Sequence, residues 1–126
     1  MKNSTSLLAV AALMSPALAF QHDAATVSAK TVKGVQSVTV MVANGKYSPS
    51  VISVKKGVPV AITFKGGAKI GCGSTIEFKS LKMKQSVKQG QSVTFKFTPA
   101  KTGEIAFACP MNMYRGKVVV KQSSPD

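Results

Sequence analysis

Histidine and acidic residues are scarce in this chain, and their scarcity excludes whole classes of site. The 126 residues include one histidine, His22, and four acidic residues. Calcium and magnesium require several oxygen ligands, above all carboxylates, so we expect neither as a bound ion. The part of the chain expected to fold also contains no carboxylate dyad, no Cys/His pair and no phosphate-binding glycine loop. We therefore expect no enzymatic activity.

Long apolar runs are also missing, except for one at the N-terminus. Lys2, an apolar run over residues 7–14 and small residues at Ala17 and Ala19 have the layout of a secretory signal peptide. The run is too short to remain as a membrane anchor. We predict that residues 1–19 are a signal peptide, cleaved after Ala19, and that the mature protein is periplasmic or secreted.

Basic residues far outnumber acidic ones. The formal net charge is +13, and it falls by one to +12 when Lys2 leaves with the signal peptide. This charge favours an anionic partner surface, either an acidic protein or phospholipid head groups. The lysines alternate along predicted strands and do not form a block with interleaved aromatic residues, which argues against nucleic acid as a partner. We expect a monomer with a solvated, lysine-rich sheet face.

The rest of the chain is long enough for one domain, and its apolar residues follow the period of β-strands. Residues 20–34 show weak periodicity and are predicted to be a flexible leader, and residues 35–126 are predicted to be the domain. Short strands separated by glycine-containing turns predict an all-β sandwich of about seven to eight strands. The alternating residues are Val38, Val40 and Val42; Val58, Val60, Ile62 and Phe64; Ile76 and Phe78; Val93, Phe95 and Phe97; Ile105 and Phe107; and Val118 and Val120.

Two cysteines and a pair of methionines are the residues most suited to chemistry. Cys72 lies in the sequence GCG, and Cys109 opens the sequence CPMNM, which also holds Met111 and Met113. In an oxidising compartment, two cysteines most simply form a structural disulfide. A disulfide gives no role to the neighbouring methionine pair, however. We therefore expect the sulfur groups to converge on one small volume and to bind a metal.

Sulfur ligands of this kind favour Cu(I). Soft thiolate and thioether groups select Cu(I), whereas zinc would require more cysteine or histidine. A blue-copper electron-transfer centre needs a cysteine and two histidines, and the chain has only His22. The glycines beside Cys72 allow the backbone to approach a metal closely. Met41 and Met83 lie within strand patterns, and we interpret them as packing residues.

Three segments between residues 38 and 121 are similar to a known family. They read YSPSVISVKKGVPVAITF, GCG and FTPAKTGEIAFACPMNMYRGKVVV. With them the chain resembles the cupredoxin family, and in particular its Cu(I)-binding members related to cell-surface and periplasmic copper chaperones. Blue cupredoxins have histidine where Cys72 lies and a loop from cysteine through histidine to methionine where CPMNM lies. The resemblance therefore favours the Cu(I)-carrier branch over electron transfer.

The resemblance also implies a fold, ligands and partners. It implies a Greek-key β-sandwich in which Cys72 and Cys109 are the main thiolate ligands and Met111 and Met113 are the thioether ligands. Such loops hold one or two Cu(I) ions. The partners implied are a copper-exporting pump, a copper oxidase or another periplasmic copper protein.

A second copper site is predicted at the mature N-terminus. Cleavage after Ala19 leaves a chain that begins with Phe20, Gln21 and His22. Its amine, two backbone amides and imidazole can surround one Cu(II) or Ni(II) in a square plane. This site is a separate hypothesis that depends on the cleavage position.

From the sequence, we favour an exported protein that binds Cu(I) for copper tolerance, sequestration or delivery. Two alternatives stay open. One is an electron-transfer cupredoxin, which would show strong visible absorption from a Cu(II) thiolate. The other is a metal-free β-sandwich adaptor closed by a disulfide between Cys72 and Cys109.

Overall fold

The computed structural model describes residues 26–123, which fold into two packed β-sheets. In this part of the chain no helix is long and apolar enough to cross a membrane. Single 3-10 turns lie at Gly71–Ser74 and Lys79–Leu81. The strands are β1 (Thr26–Ser28), β2 (Lys30–Val32), β3 (Val35–Ala43), β4 (Lys46–Ser48), β5 (Val51–Lys55), β6 (Val60–Gly66), β7 (Thr75–Phe78), β8 (Met83–Ser86), β9 (Ser92–Phe97), β10 (Gly103–Ala108) and β11 (Arg115–Lys121).

Both sheets contain parallel and antiparallel pairs. The first sheet has the order β1-β5-β11-β10-β7-β8, and β5 pairs in parallel with both β1 and β11. The second has the order β2-β3-β6-β9, with β4 also on β3 and with β3 parallel to β6. The predicted all-β sandwich is confirmed. The described residues form eleven strands, more than the seven to eight predicted, because three-residue strands are too short to show a period.

The strands begin before the predicted domain boundary at Val35. Residues 26–32, which are part of the predicted flexible leader, contain β1 and β2. Both strands have exposed side chains throughout, so their sequence carries no alternation of buried and exposed residues. They are instead held by backbone pairing with β5 and β3. The predicted signal peptide and the first part of the leader lie outside the described residues.

An aromatic cluster fills the space between the sheets. Phe64 on β6 is fully buried, and its ring lies 5.4–6.2 Å from the rings of four neighbours. All four contacts are edge-to-face, an arrangement that aromatic pairs favour. The four neighbours are Tyr47, Phe78, Phe95 and Phe107. The cluster joins β4, β6, β7, β9 and β10 and so supports the end of the sandwich where β10 finishes.

The outer faces carry the positive charge. On β6, Lys65 is exposed next to the buried Phe64, and on β9 Lys96 is exposed next to the buried Phe95. The lysines thus occupy the solvent side of the alternation, as predicted. Glu104 and Lys117 form an ion pair of 3.0 Å on the surface, where such a pair contributes little to stability.

Candidate metal centre

The two cysteines meet at one end of the sandwich. Cys109 directly follows β10, and Cys72 lies in the 3-10 turn Gly71–Ser74 between β6 and β7. Their Sγ atoms are 3.2 Å apart, and both residues are free thiols. A disulfide bond is about 2.05 Å long, so the sulfurs are in contact but not bonded. The structure therefore brings together the two residues that were predicted to be the thiolate ligands.

The Cys109 thiol is enclosed by its own loop. Only 2% of the residue is exposed. The backbone N–H of Tyr114 donates to Cys109 Sγ at 3.3 Å, and the backbone N–H of Cys109 donates to the carbonyl of Tyr114 at 3.1 Å. The N–H of Asn112 donates to the carbonyl of Cys109 at 2.9 Å, and Asn112 has a left-handed φ of 57°. Residues 109–114 thus form a tight loop around one sulfur, which we call the Cys109 loop.

Hydrogen bonds make the two thiols unequal. Burial alone would raise the pKa of Cys109, but donors from the backbone of Tyr114, from the Cys72 thiol and from the backbone of Met113 and Met111 lower the pKa below its ordinary value. The hydrogen bond with Cys109, desolvation and the charge of Cys109 raise the pKa of Cys72. Cys109 is therefore the first to become a thiolate, and Cys72 is its hydrogen-bond donor.

The reduced, metal-free protein should therefore lose its two thiol protons in separate steps. We expect the first step below the pKa of an ordinary cysteine and the second above it, as followed by the ultraviolet absorbance of thiolate. Cys72→Ala removes one donor to Cys109, so the single remaining step should lie at a higher pH than the first step of the unmodified protein. Two overlapping steps at the ordinary pKa would contradict this account of the pair.

The methionines lie at the surface. Met111 is 71% exposed and Met113 is 68% exposed. The cysteine sulfurs converge as predicted, whereas both methionines, which belong to the Cys109 loop, extend their side chains into solvent. The core position expected of Met83 is confirmed, since Met83 packs against the hydrophobic core. Met41, also interpreted as a packing residue, is 38% exposed. The predicted N-terminal site of Phe20 and His22 lies outside the described residues.

The donor atoms suit a soft monovalent ion. The described residues contain no cluster of three or more His, Cys, Asp or Glu side chains, which is the set that a zinc, calcium or magnesium site would use. Metal–thiolate bonds are about 2.3 Å long in zinc sites, so sulfurs up to about 4.6 Å apart can share one ion. The two sulfurs lie within that limit. Two thiolates with thioethers nearby match the ligand preference of Cu(I).

Sequence reasoning missed two buried tyrosines beneath this site. Tyr114 is 3% exposed and Tyr47 is 2% exposed, and their ring centroids are 5.3 Å apart. The Tyr114 hydroxyl is hydrogen-bonded, whereas the Tyr47 hydroxyl has no hydrogen-bond partner among the described residues. Burial, followed by the charges of Cys109 and Cys72, raises the pKa of Tyr47, which therefore stays protonated. In the sequence, the only hint of this was an aromatic residue, Tyr114, directly after Met113 in a polar segment.

Comparison with known proteins gives one family and several copper-protein structures. The family described as Cupredoxin-like domain matches residues 6–120. The Cu(I)-bound metal-binding domain of the Cu(I)-exporting P-type ATPase CopA from Streptococcus pneumoniae is 27% identical, with a TM-score of 0.73 over 79% of this chain and 98% of that one. A copper binding protein in the apo form is 33% identical, with a TM-score of 0.73 over 79% and 100% of the two chains. A reduced Cu(I) form of an amicyanin mutant is 25% identical, with a TM-score of 0.53 over 68% and 82%. No curated protein sequence matches significantly.

Proposed function

Because the chain belongs to the family of cupredoxin-like domains, we propose that it binds Cu(I) between the thiolates of Cys72 and Cys109. The observation that carries this proposal is the pair of free thiol sulfurs, 3.2 Å apart, at the end of the sandwich. Hydrogen-bond donors lower the pKa of Cys109, which favours its thiolate, and binding of the ion favours loss of the second proton. Copper-binding domains among the structural neighbours support the same choice of metal.

The role we propose is copper tolerance by an exported protein, through sequestration or delivery. Burial of Cys109 shields one ligand from water, while the partly buried Cys72 leaves one side of the pair open to ligand exchange. An incoming partner thiolate or thioether can therefore replace one ligand before the other is released. A copper-exporting pump, a copper oxidase or another periplasmic copper protein suits this exchange, and no catalytic step is needed.

The exposed methionines are proposed as the entry and exit ligands. Thioethers are neutral and bind Cu(I) more weakly than thiolates, and both side chains are accessible to an incoming ion because they lie in solvent. Together with the cysteine pair, they would supply the ligands for one or two bound ions.

We expect Met111→Leu and Met113→Leu to weaken Cu(I) binding by less than the loss of either cysteine does. The reason is that each removes one weak, exposed ligand and leaves the thiolate pair intact. Folding stability should change by no more than about 0.5 kcal/mol, the usual effect of a surface substitution. Competition titration and urea unfolding measure the two effects. A methionine variant that binds as poorly as a cysteine variant would contradict this division of roles.

The proposal is tested by anaerobic titration of the reduced protein with Cu(I) against a chromophoric competitor. We expect the protein to take copper from the competitor, and the end point to give one or two ions per chain. A reduced protein that takes none would favour the disulfide-closed adaptor. Strong visible absorption on oxidation would instead favour electron transfer, for which the described residues provide no histidine.

A further inference from the structure

The two sulfur ligands come from separate segments, and their separation depends on how those segments are held together. Cys72 and Cys109 are 37 residues apart in sequence. Cys72 lies in a 3-10 turn of four residues, which has little hydrogen bonding of its own. The position of this turn relative to the Cys109 loop therefore has to be set by tertiary contacts.

The Tyr114 hydroxyl joins the Cys109 loop to two other segments. It accepts a hydrogen bond of 2.8 Å from the backbone N–H of Gly45, in the turn between β3 and β4. It donates a hydrogen bond of 3.3 Å to the carbonyl of Lys69, three residues before Cys72. A buried tyrosine hydroxyl normally needs such partners. Here both partners are backbone groups, so the hydroxyl fixes main-chain positions.

The Tyr114 ring also supports the turn that carries Cys72. A Cβ atom built on Gly73 would lie 2.7–2.9 Å from three ring carbons of Tyr114, which is closer than real contacts of this kind. The ring therefore fills the space where any larger residue would place its side chain. At the other end of the residue, the Tyr114 backbone N–H donates to Cys109 Sγ at 3.3 Å. One residue thus contacts both the turn and the second sulfur.

We infer that Tyr114 is the positioning residue that sets the separation of the two sulfurs through its hydroxyl and ring. The part of this inference that concerns copper binding rests on the proposed function, whereas the part that concerns the distance between the two thiols does not. Tyr47 offers a matched control because its ring lies 5.3 Å from that of Tyr114 and is equally buried, while its hydroxyl has no partner among the described residues.

The first readout is Cu(I) affinity. Tyr114→Phe keeps the ring and the backbone N–H but removes both hydroxyl hydrogen bonds. Loss of a group that orients metal ligands typically lowers affinity by about 10–100-fold, and we expect a decrease in that range. Tyr47→Phe should leave the affinity unchanged. If Tyr114→Phe unfolds, Gly73→Ala serves as a second variant, because it displaces the same ring and should lower the affinity in the same direction.

The second readout requires no copper. In a glutathione redox buffer, the two protein thiols give up two electrons and two protons to one oxidised glutathione, which forms the Cys72–Cys109 disulfide and two reduced glutathione molecules. The equilibrium depends on how close the two thiols are held. We expect Tyr114→Phe to shift it toward the free thiols and Tyr47→Phe to leave it in place.

The two readouts separate failure of this inference from failure of the proposed function. Unmodified protein that binds no Cu(I) would overturn the proposed function, while the glutathione equilibrium would still test Tyr114. Tyr114→Phe that matches Tyr47→Phe in both experiments would overturn the positioning role. A lower Cu(I) affinity and a smaller share of the Cys72–Cys109 disulfide, both found in Tyr114→Phe and not in Tyr47→Phe, would support it.

Discussion

Cys72→Ser is expected to remove tight Cu(I) binding while leaving the protein folded. Serine supplies a hard, protonated oxygen in place of a soft thiolate, so only Cys109 remains as an anionic sulfur ligand. Loss of a residue that orients a ligand typically lowers metal affinity by about 10–100-fold, and loss of a ligand itself should lower it further. Because Cys72 is only partly buried, the change should have little effect on the core. Competition titration of the reduced protein measures the loss.

Met83→Leu is the matched control for this experiment. It also removes a sulfur atom, but one that packs against the hydrophobic core. Leucine and methionine have similar volumes, so the fold should tolerate the exchange. We expect the control to bind Cu(I) as the unmodified protein does. If Cys72→Ser competes for Cu(I) as well as Met83→Leu does, the copper site lies elsewhere.

Phe64→Ala is expected to lower the free energy of unfolding by about 3–5 kcal/mol, the range found when a large buried aromatic is truncated. Phe64 is fully buried and packs against four other aromatic rings, so alanine leaves a cavity that its neighbours cannot easily fill. Domains of this size are stable by only about 5–15 kcal/mol. Urea unfolding of the reduced, metal-free protein measures the change.

Thr63→Ala provides the comparison on the same strand. Thr63 directly precedes Phe64 on β6, and its hydroxyl pairs with that of Thr94 at 3.0 Å on the exposed side of the sheet. Its removal should change stability by about 0.5 kcal/mol or less. Equal losses for Phe64→Ala and Thr63→Ala would show that the aromatic cluster does not hold the sheets together. The Tyr47 ring lies 5.3 Å from that of Tyr114 in the Cys109 loop, and Phe107 lines a pocket together with Cys109 and Asn112. The core around Phe64 therefore supports the site as well as the fold.

The strands with one buried face could be predicted from sequence because their period is a local property. Val40 and Val42 on β3, and Ile62 and Phe64 on β6, are buried as the alternation indicated. The first two strands could not be predicted in this way. Their side chains are exposed and only their backbones pair, with β5 and β3, and a pairing between distant segments leaves no pattern in the residues themselves.

For the site, the sequence predicted the chemistry of the ligands better than their arrangement in space. The soft sulfur groups and the single histidine were enough to favour Cu(I) and to predict Cys72 and Cys109 as its thiolate ligands. The 3.2 Å separation of their sulfurs depends on tertiary contacts, as does the exposure of the methionines. The role of Tyr114 was hidden for the same reason, since its hydroxyl partners are backbone groups 69 and 45 residues away.

We propose that sulfur from Cys72 and Cys109 binds Cu(I). X-ray absorption spectroscopy of the Cu(I)-loaded protein tests it most directly, because the spectrum distinguishes sulfur ligands from nitrogen and oxygen. We predict that the unmodified protein shows copper with sulfur ligands only, and that Cys72→Ser loses part of that sulfur signal. A spectrum dominated by nitrogen or oxygen ligands, or one unchanged in Cys72→Ser, would contradict the account.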